Sequence, residues 1–278
     1  MKRLAVIFPG IGYTADKPLL HYGRRLAERY GYESRILSYG GFPPKVKGDR
    51  DRMKRSFALA LAQAEEMLAE VDLRAFDDIL FIGKSIGTAA AAHIAAGSGA
   101  GERIRFVLFT PLAETFDHPL GDAVVFTGSA DPWVGGAESP VPALCAERGI
   151  PCFVVADANH SLETPDPLTD VRNLRDVMDR TAAFILRDRT ERIARHEAQL
   201  NALLRTLSLP AATAAELSAA GEAAAALESY YGSEAWKQDF ADDEAGLLPK
   251  DLPRGVLSED GIYNALEAWR ERREERDG

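Results

Sequence analysis

The sequence predicts an α/β fold: a doubly wound, mostly parallel sheet of about six strands, followed by a small all-helical domain. Two observations carry this prediction. Through residue 187, short apolar runs that favour strands alternate with longer segments of helical spacing. From residue 188 onward no run favours a strand, and apolar residues recur at helical spacing. We therefore expect one domain at residues 1–187 and a second, an acidic helical bundle, at residues 188–278.

Six apolar runs are predicted to be strands, and the helices between them imply a parallel sheet with helices on both faces. The predicted strands are residues 4–8, 35–39, 79–82, 105–110, 123–127 and 152–156. The predicted helices of the same domain are residues 17–30, 49–68, 86–96, 141–148 and 168–186.

Composition restricts the function classes. A chain of 278 residues, 46% hydrophobic and 27% charged, is typical of a globular protein with a real core. The net charge of −10 argues against nucleic acid as the main partner. No apolar run has the length of a signal-peptide core or a membrane span. Because Cys145 and Cys152 fit no metal or redox spacing and the histidines are scattered, we expect a cytoplasmic protein with reduced thiols, no cofactor, no metal and no membrane partner.

The strand at residues 79–82 ends in a sequence with a recognisable function. Residues 83–87 read Gly-Lys-Ser-Ile-Gly, and an Ala-rich helix former follows. This is the G-x-S-x-G nucleophile elbow in its strand–turn–helix context, with Ser85 at the bend as the predicted nucleophile. Gly83 and Gly87 omit Cβ atoms that would clash with neighbouring strands. The same residues imitate the end of a phosphate-binding P-loop, but Asp78 stands where that motif needs a glycine.

A serine hydroxyl needs an adjacent base, and histidine is the usual one. Of the five histidines, we predict His160, because it follows the last strand and so lies at the same sheet edge as Ser85; His118, in a loop, is a weaker candidate. The acid is expected between them in the chain, and Asp131 follows the preceding strand. Asp157 is the alternative acid, although from three residues before the histidine it would have trouble reaching the far ring nitrogen.

An oxyanion hole is the remaining requirement. One predicted donor is the backbone N–H of Ile86, directly after the nucleophile. The other is predicted in the loop after the first strand, from Ile11 with Gly12 next. Residues 10–15 of this loop also match the dinucleotide fingerprint G-x-G-x-x-A, but the second strand ends without the acidic residue that would hold the ribose.

The substrate environment is predicted to be open. Residues 111–122, which connect the fourth and fifth predicted strands, are too few for a cap domain. Four large side chains are candidates either to line the site or simply to pack in the core: Tyr13, Leu112, Phe116 and Trp133.

With these residues in place, the first 187 residues resemble the α/β-hydrolase superfamily, and more closely its small, lidless bacterial members. The resemblance rests on the elbow, the loop at residues 9–13, Asp131 and His160. It also rests on three short sequence segments, residues 110–112, 130–133 and 158–163. It implies a sheet without the superfamily's first two strands. Pro9 stands where the commoner oxyanion loop has a histidine.

Residues 190–278 are similar to a small helical domain of unknown function that occurs alone in bacteria. This resemblance rests on Tyr230-Tyr231-Gly232-Ser233, on Trp236 and on residues 248–261. It implies no particular chemistry.

The sequence therefore predicts a serine hydrolase, similar to carboxylesterases and thioesterases, that cleaves an ester, thioester or activated amide of a small acyl substrate. The alternative is a protein-interaction or scaffold protein, in which the acidic tail recruits a protein partner and the hydrolase fold has little or no activity. A third possibility is that the tail covers the open site as a lid.

Overall fold

The computed structural model describes residues 2–277, and its contacts divide the chain into two compact units, Met1–Ile185 and Leu186–Gly278. Each unit has its own cluster of buried apolar side chains. The two units are described separately below.

Within residues 2–277, the first unit holds all the strands, with helices between them. The strands are β1 Arg3–Phe8, β2 Glu33–Ile36, β3 Asp78–Lys84, β4 Ile104–Phe109, β5 Ala123–Gly128 and β6 Cys152–Val155. The helices are α1 Pro18–Arg29, α2 Arg50–Leu68, α3 Ile86–Gly97 and α4 Val141–Glu147, and α5 Pro167–Ser208 begins after β6.

The strands form one parallel sheet in the order β2-β1-β3-β4-β5-β6. The predicted fold class is thereby confirmed. Because all the strands run the same way, the loops after β1, β3, β5 and β6 leave from the same sheet edge. Phe8 pairs with Gly83 in the register of β1 and β3, so the loop after β1 starts beside the elbow.

Helices cover both faces of the sheet. Phe81 and Phe106 belong to the buried cluster that includes side chains of α2 and α3. On the opposite face, a Cβ atom on Gly23 of α1 would meet the Ile82 side chain at 3.4 Å. Helix α5 also packs on this face, where the Arg105 guanidinium of β4 donates to the carbonyl oxygen of Phe184.

Two elements differ clearly from the sequence-based prediction, while the other strands agree to within about two residues at each end. The second strand was expected at residues 35–39 and is found at Glu33–Ile36. This strand lies at the sheet edge and is largely exposed, so it lacks the apolar run that marks buried strands. The helix expected at residues 168–186 continues to Ser208 in the single helix α5.

The second unit is all-helical in the part that the structure describes. It contains the end of α5 with α6 Ala214–Tyr230, α7 Glu234–Glu244 and α8 Glu259–Asp277. Tyr230 and Trp236 are buried in its core, and the Trp236 indole N–H donates to the Val256 carbonyl oxygen at 3.1 Å. A buried carboxylate, Asp239, accepts two hydrogen bonds from Arg192, at 2.8 and 2.6 Å, and one from the Tyr230 hydroxyl. These contacts tie α5, α6 and α7 together.

None of the helices described here has an apolar stretch of the length that crossing a lipid bilayer requires.

Candidate active site

Ser85 stands at the bend between β3 and α3 in a conformation that few residues adopt. Its φ is 55° and its ψ is −126°, while Lys84 ends the strand and Ile86 begins the helix. Positive φ at a residue other than glycine costs energy and persists where the surrounding structure enforces it. The Ser85 N–H donates to the Phe109 carbonyl oxygen at 3.0 Å, and its own carbonyl oxygen accepts from Thr88. The strand and the helix therefore both hold the bend.

Gly87 is required by the closeness of the first strand. A Cβ atom at this position would lie 2.3 Å from the carbonyl oxygens of both Phe8 and Pro9. Gly83 is less restricted, since its Cβ atom would meet Thr88 at 3.0 Å. The two glycines let α3 begin directly against the end of β1, as the elbow requires.

The structure brings Ser85, His160 and Asp131 together. His160 Nε2 lies 2.7 Å from Ser85 Oγ, and His160 Nδ1 lies 2.7 Å from Asp131 Oδ2. Asp131 is fully buried, and its other carboxylate oxygen accepts a hydrogen bond from the backbone N–H of Trp133 at 2.9 Å. The Trp133 ring stacks on the imidazole, with centroids 5.2 Å apart. These contacts hold the histidine between a hydroxyl and a carboxylate.

The loop that carries His160 is fixed by its backbone. The Thr110 hydroxyl donates to the His160 carbonyl oxygen at 3.0 Å. The Asn159 side chain accepts the Ser161 N–H at 2.7 Å, and the Asn159 N–H donates to the Glu163 carbonyl oxygen. The histidine is therefore held on a closed turn.

Hydrogen-bond chemistry determines which ring nitrogen of His160 carries the proton. A carboxylate only accepts, so Nδ1 must donate to Asp131, which leaves Nε2 as the acceptor for the Ser85 hydroxyl. Burial lowers the pKa of His160 below its ordinary value; the hydrogen bond to Asp131 opposes this shift, and Lys84 and Lys47 add to it. The imidazole is therefore neutral at pH 7 and can take a proton.

The other candidates for base and acid lie elsewhere. His93 and His118 contact each other, with Nδ1 of the first 3.2 Å from Nε2 of the second. His196 is in the second unit, hydrogen-bonded to Gln199. Asp157, the alternative acid, is exposed. Asp131, and not Asp157, is the carboxylate against His160.

The predicted oxyanion donors lie on two segments that meet beside Ser85. Ile86 is the first residue of α3, where backbone N–H groups have no partner inside the helix. The loop after β1 is a tight turn closed by hydrogen bonds between Gly10 and Tyr13, at 3.0 and 3.2 Å. Within the described residues, the N–H groups of Ile11 and Gly12 inside this turn donate to no protein acceptor. The turn does not lead directly into α1, which begins only at Pro18.

A cavity of about 590 Å³ lies beside the elbow. Two of the four candidate lining residues, Leu112 and Trp133, are in its wall, together with Ile86. Tyr13 and Phe116 are not in this wall and are buried in the core, the other of the two places expected for them. Phe116 belongs to the core cluster, and Tyr13 is buried with its hydroxyl accepting the Leu19 N–H. The remaining wall includes apolar Val46, Met53, Phe57 and Ala89 and charged Asp49, Arg50, Lys54, Glu114 and Asp117.

Two residues that contact the site were not identified from the sequence. Thr110 has a φ of 43° although it precedes Pro111, and a residue before proline is expected to be extended. Lys84 occupies the variable position before Ser85 in the elbow and is fully buried. Only the three-dimensional packing brings these two side chains to the site.

Within residues 2–277, no three His, Cys, Asp or Glu side chains are grouped so that they could hold a metal ion.

Comparison with known proteins finds a family match for the helical unit. A family model described as "Domain of unknown function (DUF4298)" matches residues 193–275, which confirms the resemblance of the helical unit. No curated protein sequence matches the chain.

Among solved structures, the chain is similar to an alpha-beta serine hydrolase homologue from Coxiella burnetii, with 16% identity over 65% of this chain and 83% of that one, at a TM-score of 0.45. It is also similar to an a/b serine hydrolase without lid from Xanthomonas campestris, with 13% identity over 66% and 81% of the two chains and a TM-score of 0.43. An esterase from Pyrococcus furiosus has 16% identity over 67% and 82%, with a TM-score of 0.46.

At these identities and scores, the fold assignment rests on this chain's own strand order and elbow. A six-stranded parallel sheet, a serine at a strained strand-to-helix turn, and an acid and a histidine following in that order define the α/β-hydrolase fold. The helical unit follows it in the same chain.

Proposed function

We propose that this chain is a serine hydrolase that cleaves an ester, thioester or activated amide of a small acyl substrate. The observation that carries the proposal is the unbroken hydrogen-bond chain from Ser85 through His160 to Asp131, with both distances at 2.7 Å. These three side chains have the chemical types and the order that acyl transfer by serine needs.

In the proposed reaction, Ser85 Oγ attacks the substrate carbonyl carbon while His160 Nε2 takes the hydroxyl proton. The Asp131 carboxylate holds the ring in the required tautomer and stabilises the imidazolium that forms. The carbonyl oxygen becomes an oxyanion, which the N–H groups of Ile86 and of Ile11 or Gly12 bind. His160 then gives its proton to the leaving group, and an acyl-enzyme remains on Ser85.

Hydrolysis completes the cycle. A water molecule gives a proton to His160 Nε2 as its oxygen attacks the acyl carbon, and the same proton returns to Ser85 Oγ as the acid leaves. Each oxyanion donor contributes about 10²–10³ to such a rate.

The acyl group is proposed to occupy the cavity beside the elbow. Its wall joins Ile86, next to the nucleophile, and Trp133, which stacks on the base, to the apolar side chains Phe57 and Leu112. The segment between β4 and β5 forms only the short 3₁₀ turn Ala113–Asp117, so within the first unit this segment supplies no cap domain. An open cavity with these apolar side chains in part of its wall and charged side chains in the rest fits an acyl group of small to medium length.

A panel of p-nitrophenyl esters from acetyl to dodecanoyl tests the proposal. The wild-type protein is expected to hydrolyse them, with kcat/KM rising from acetyl to a medium chain length as the cavity fills. Ser85→Ala is expected to abolish turnover. The matched control is Ser98→Ala, just after the other end of α3, which is expected to retain it. Equal hydrolysis by wild type and Ser85→Ala, or no hydrolysis by a folded wild type, would refute the assignment.

A further inference from the structure

Lys84 is a buried amine with no anionic partner in contact. Its side chain is 1% exposed, and within residues 2–277 no carboxylate lies within ion-pair distance of its ammonium group, which also has no hydrogen-bond partner. Burying an unpaired ammonium group is costly, so a lysine in such a place needs an explanation. Burial lowers the pKa of Lys84 to about 7, while the more distant charges of Asp131 and Glu163 oppose this shift. Lysine is therefore a poor choice for stability alone.

The Lys84 side chain runs under the turn that carries two of the candidate oxyanion donors. A Cβ atom on Gly10, where the turn begins, would lie 3.5 Å from Lys84 Cγ. Lys84 Nζ lies over the ring of Tyr13, where the turn ends, 5.0 Å from its centroid. A cation over an aromatic face is attracted by the ring, and the more so when both are buried. Lys84 thus contacts both ends of the turn.

Tyr13 is held in place by hydrogen bonds to α1 and to the start of the turn. Its hydroxyl accepts the N–H of Leu19 in the first turn of α1, and its backbone is paired with Gly10. Burial raises the pKa of Tyr13 to about 12, so the ring stays neutral and keeps its face available to the cation. Ile11 and Gly12, between the two paired residues, therefore depend on Tyr13 for their position.

Lys84 also acts on the charge of the site. The groups that face it are Tyr13 from the turn, Asp131 from the loop after β5, and His160 and Glu163 from the loop after β6. His160 is faced by Asp131, Lys84 and Lys47. A positive charge at Lys84 disfavours a second one on the imidazole, so it adds to the burial that lowers the pKa of His160.

We propose that Lys84 is a positioning residue of this site: it fixes the Gly10–Tyr13 turn, and with it the N–H groups of Ile11 and Gly12, through the Tyr13 ring. The inference rests on the proposed hydrolase function. It assigns a role to the variable residue of the elbow, which G-x-S-x-G leaves open.

The test compares full-length Lys84→Met with Lys237→Met, which removes an exposed lysine of α7. For the preferred p-nitrophenyl ester, kcat of Lys84→Met is expected to fall about tenfold or more, with KM changed little, because the oxyanion donors are less well placed. The acid limb of kcat/KM is expected to move to higher pH by about half a unit or more, since a nearby cation is lost. Lys237→Met should match the wild type in both.

Tyr13→Leu examines the same link without changing the lysine. It is expected to lower kcat as Lys84→Met does, and the double variant is expected to lose little more, because the two side chains act as a unit. Tyr13→Phe, which keeps the ring, should retain most of the rate.

Three results would overturn the inference: wild-type kcat in Lys84→Met, additive losses in the double variant, or a loss of rate with an unmoved acid limb and a lower melting temperature. Absence of ester hydrolysis in the wild type would instead refute the proposed function, so the two failures are distinguishable.

Discussion

His160 Nε2 and Ser85 Oγ lie 2.7 Å apart although 75 positions in the chain separate the two residues. The serine is held by a strained turn after β3, and the histidine by a loop after β6 that Thr110 fastens to the end of β4. Because the two residues follow different strands of one parallel sheet, the sheet itself sets the distance between the Ser85 hydroxyl and the His160 ring.

Replacing the buried acid is expected to remove most of the activity while the fold remains. In Asp131→Asn an amide N–H would face His160 Nδ1 and favour the wrong tautomer, so we expect kcat to fall by about 10³–10⁴. The matched control is Asp157→Asn, at the exposed residue that sequence reasoning left as the alternative acid; asparagine tolerates its φ of 56°. Ester hydrolysis measures both, and a loss in Asp157→Asn without one in Asp131→Asn would reverse the assignment.

Gly87 is predicted to be essential for stability. The added Cβ atom of Gly87→Ala would meet two backbone oxygens at 2.3 Å, and strands cannot yield as flexible side chains do. We expect the free energy of unfolding to fall by about 3 kcal/mol or more. Gly97→Ala, at the end of the same helix with nothing within 4 Å, should be neutral or slightly stabilising. Urea denaturation compares them, and equal stability of the two variants would contradict the packing described for the elbow.

Lys84 is predicted to make stability depend on pH. Its pKa in the folded protein, about 7, lies below the ordinary value, so between these two pH values the unfolded chain holds a proton that the folded protein lacks. Wild-type stability therefore gains from this group as pH rises, by at most about 1.4 kcal/mol per pH unit.

The comparison is made by unfolding Lys84→Met and the wild type side by side from about pH 6 to about pH 10. We expect the variant to be the more stable, with an advantage that is greatest below pH 7 and shrinks toward pH 10. The difference between Lys237→Met and the wild type should stay flat. An advantage that does not change with pH would show that the lysine is not buried as a charged group.

The helical unit is predicted to depend on one buried carboxylate. Asp239→Ala leaves the Arg192 guanidinium and the Tyr230 hydroxyl without their partner, and breaking a buried ion pair in this way costs about 3–5 kcal/mol. The exposed pair between Glu234 and Lys237 on the same helix is the control, and Glu234→Ala is expected to change nothing measurable. Thermal unfolding followed by circular dichroism is the measurement, and similar melting temperatures for the two variants would disprove the prediction.

Much of the fold was predictable because strand and helix patterns alternate clearly. This alternation implies a parallel sheet, and a parallel sheet brings the residues after its strands to one edge. Ser85, Asp131 and His160 could therefore be grouped from sequence alone. The bounds of β2 could not be predicted, because an exposed edge strand such as Glu33–Ile36 lacks an apolar run.

The parts of the site that escaped prediction depend on side-chain direction. Tyr13 ends the Gly10–Tyr13 turn and was therefore a candidate to line the site, but its ring lies inside the fold against Lys84. Thr110 reaches the His160 loop only because its backbone adopts a positive φ that the following proline argues against. Neither feature leaves a pattern in composition or spacing.

The most direct measurement is mass spectrometry of the full-length protein after reaction with a fluorophosphonate, with the adduct located by peptide mapping. An activated serine is phosphonylated, whereas an ordinary hydroxyl is not. The account predicts one adduct on Ser85 in the wild type, and none in folded Ser85→Ala or His160→Ala. No adduct in a folded wild type, or an adduct at another residue that persists in Ser85→Ala, would contradict the claim that Ser85, His160 and Asp131 form a catalytic triad.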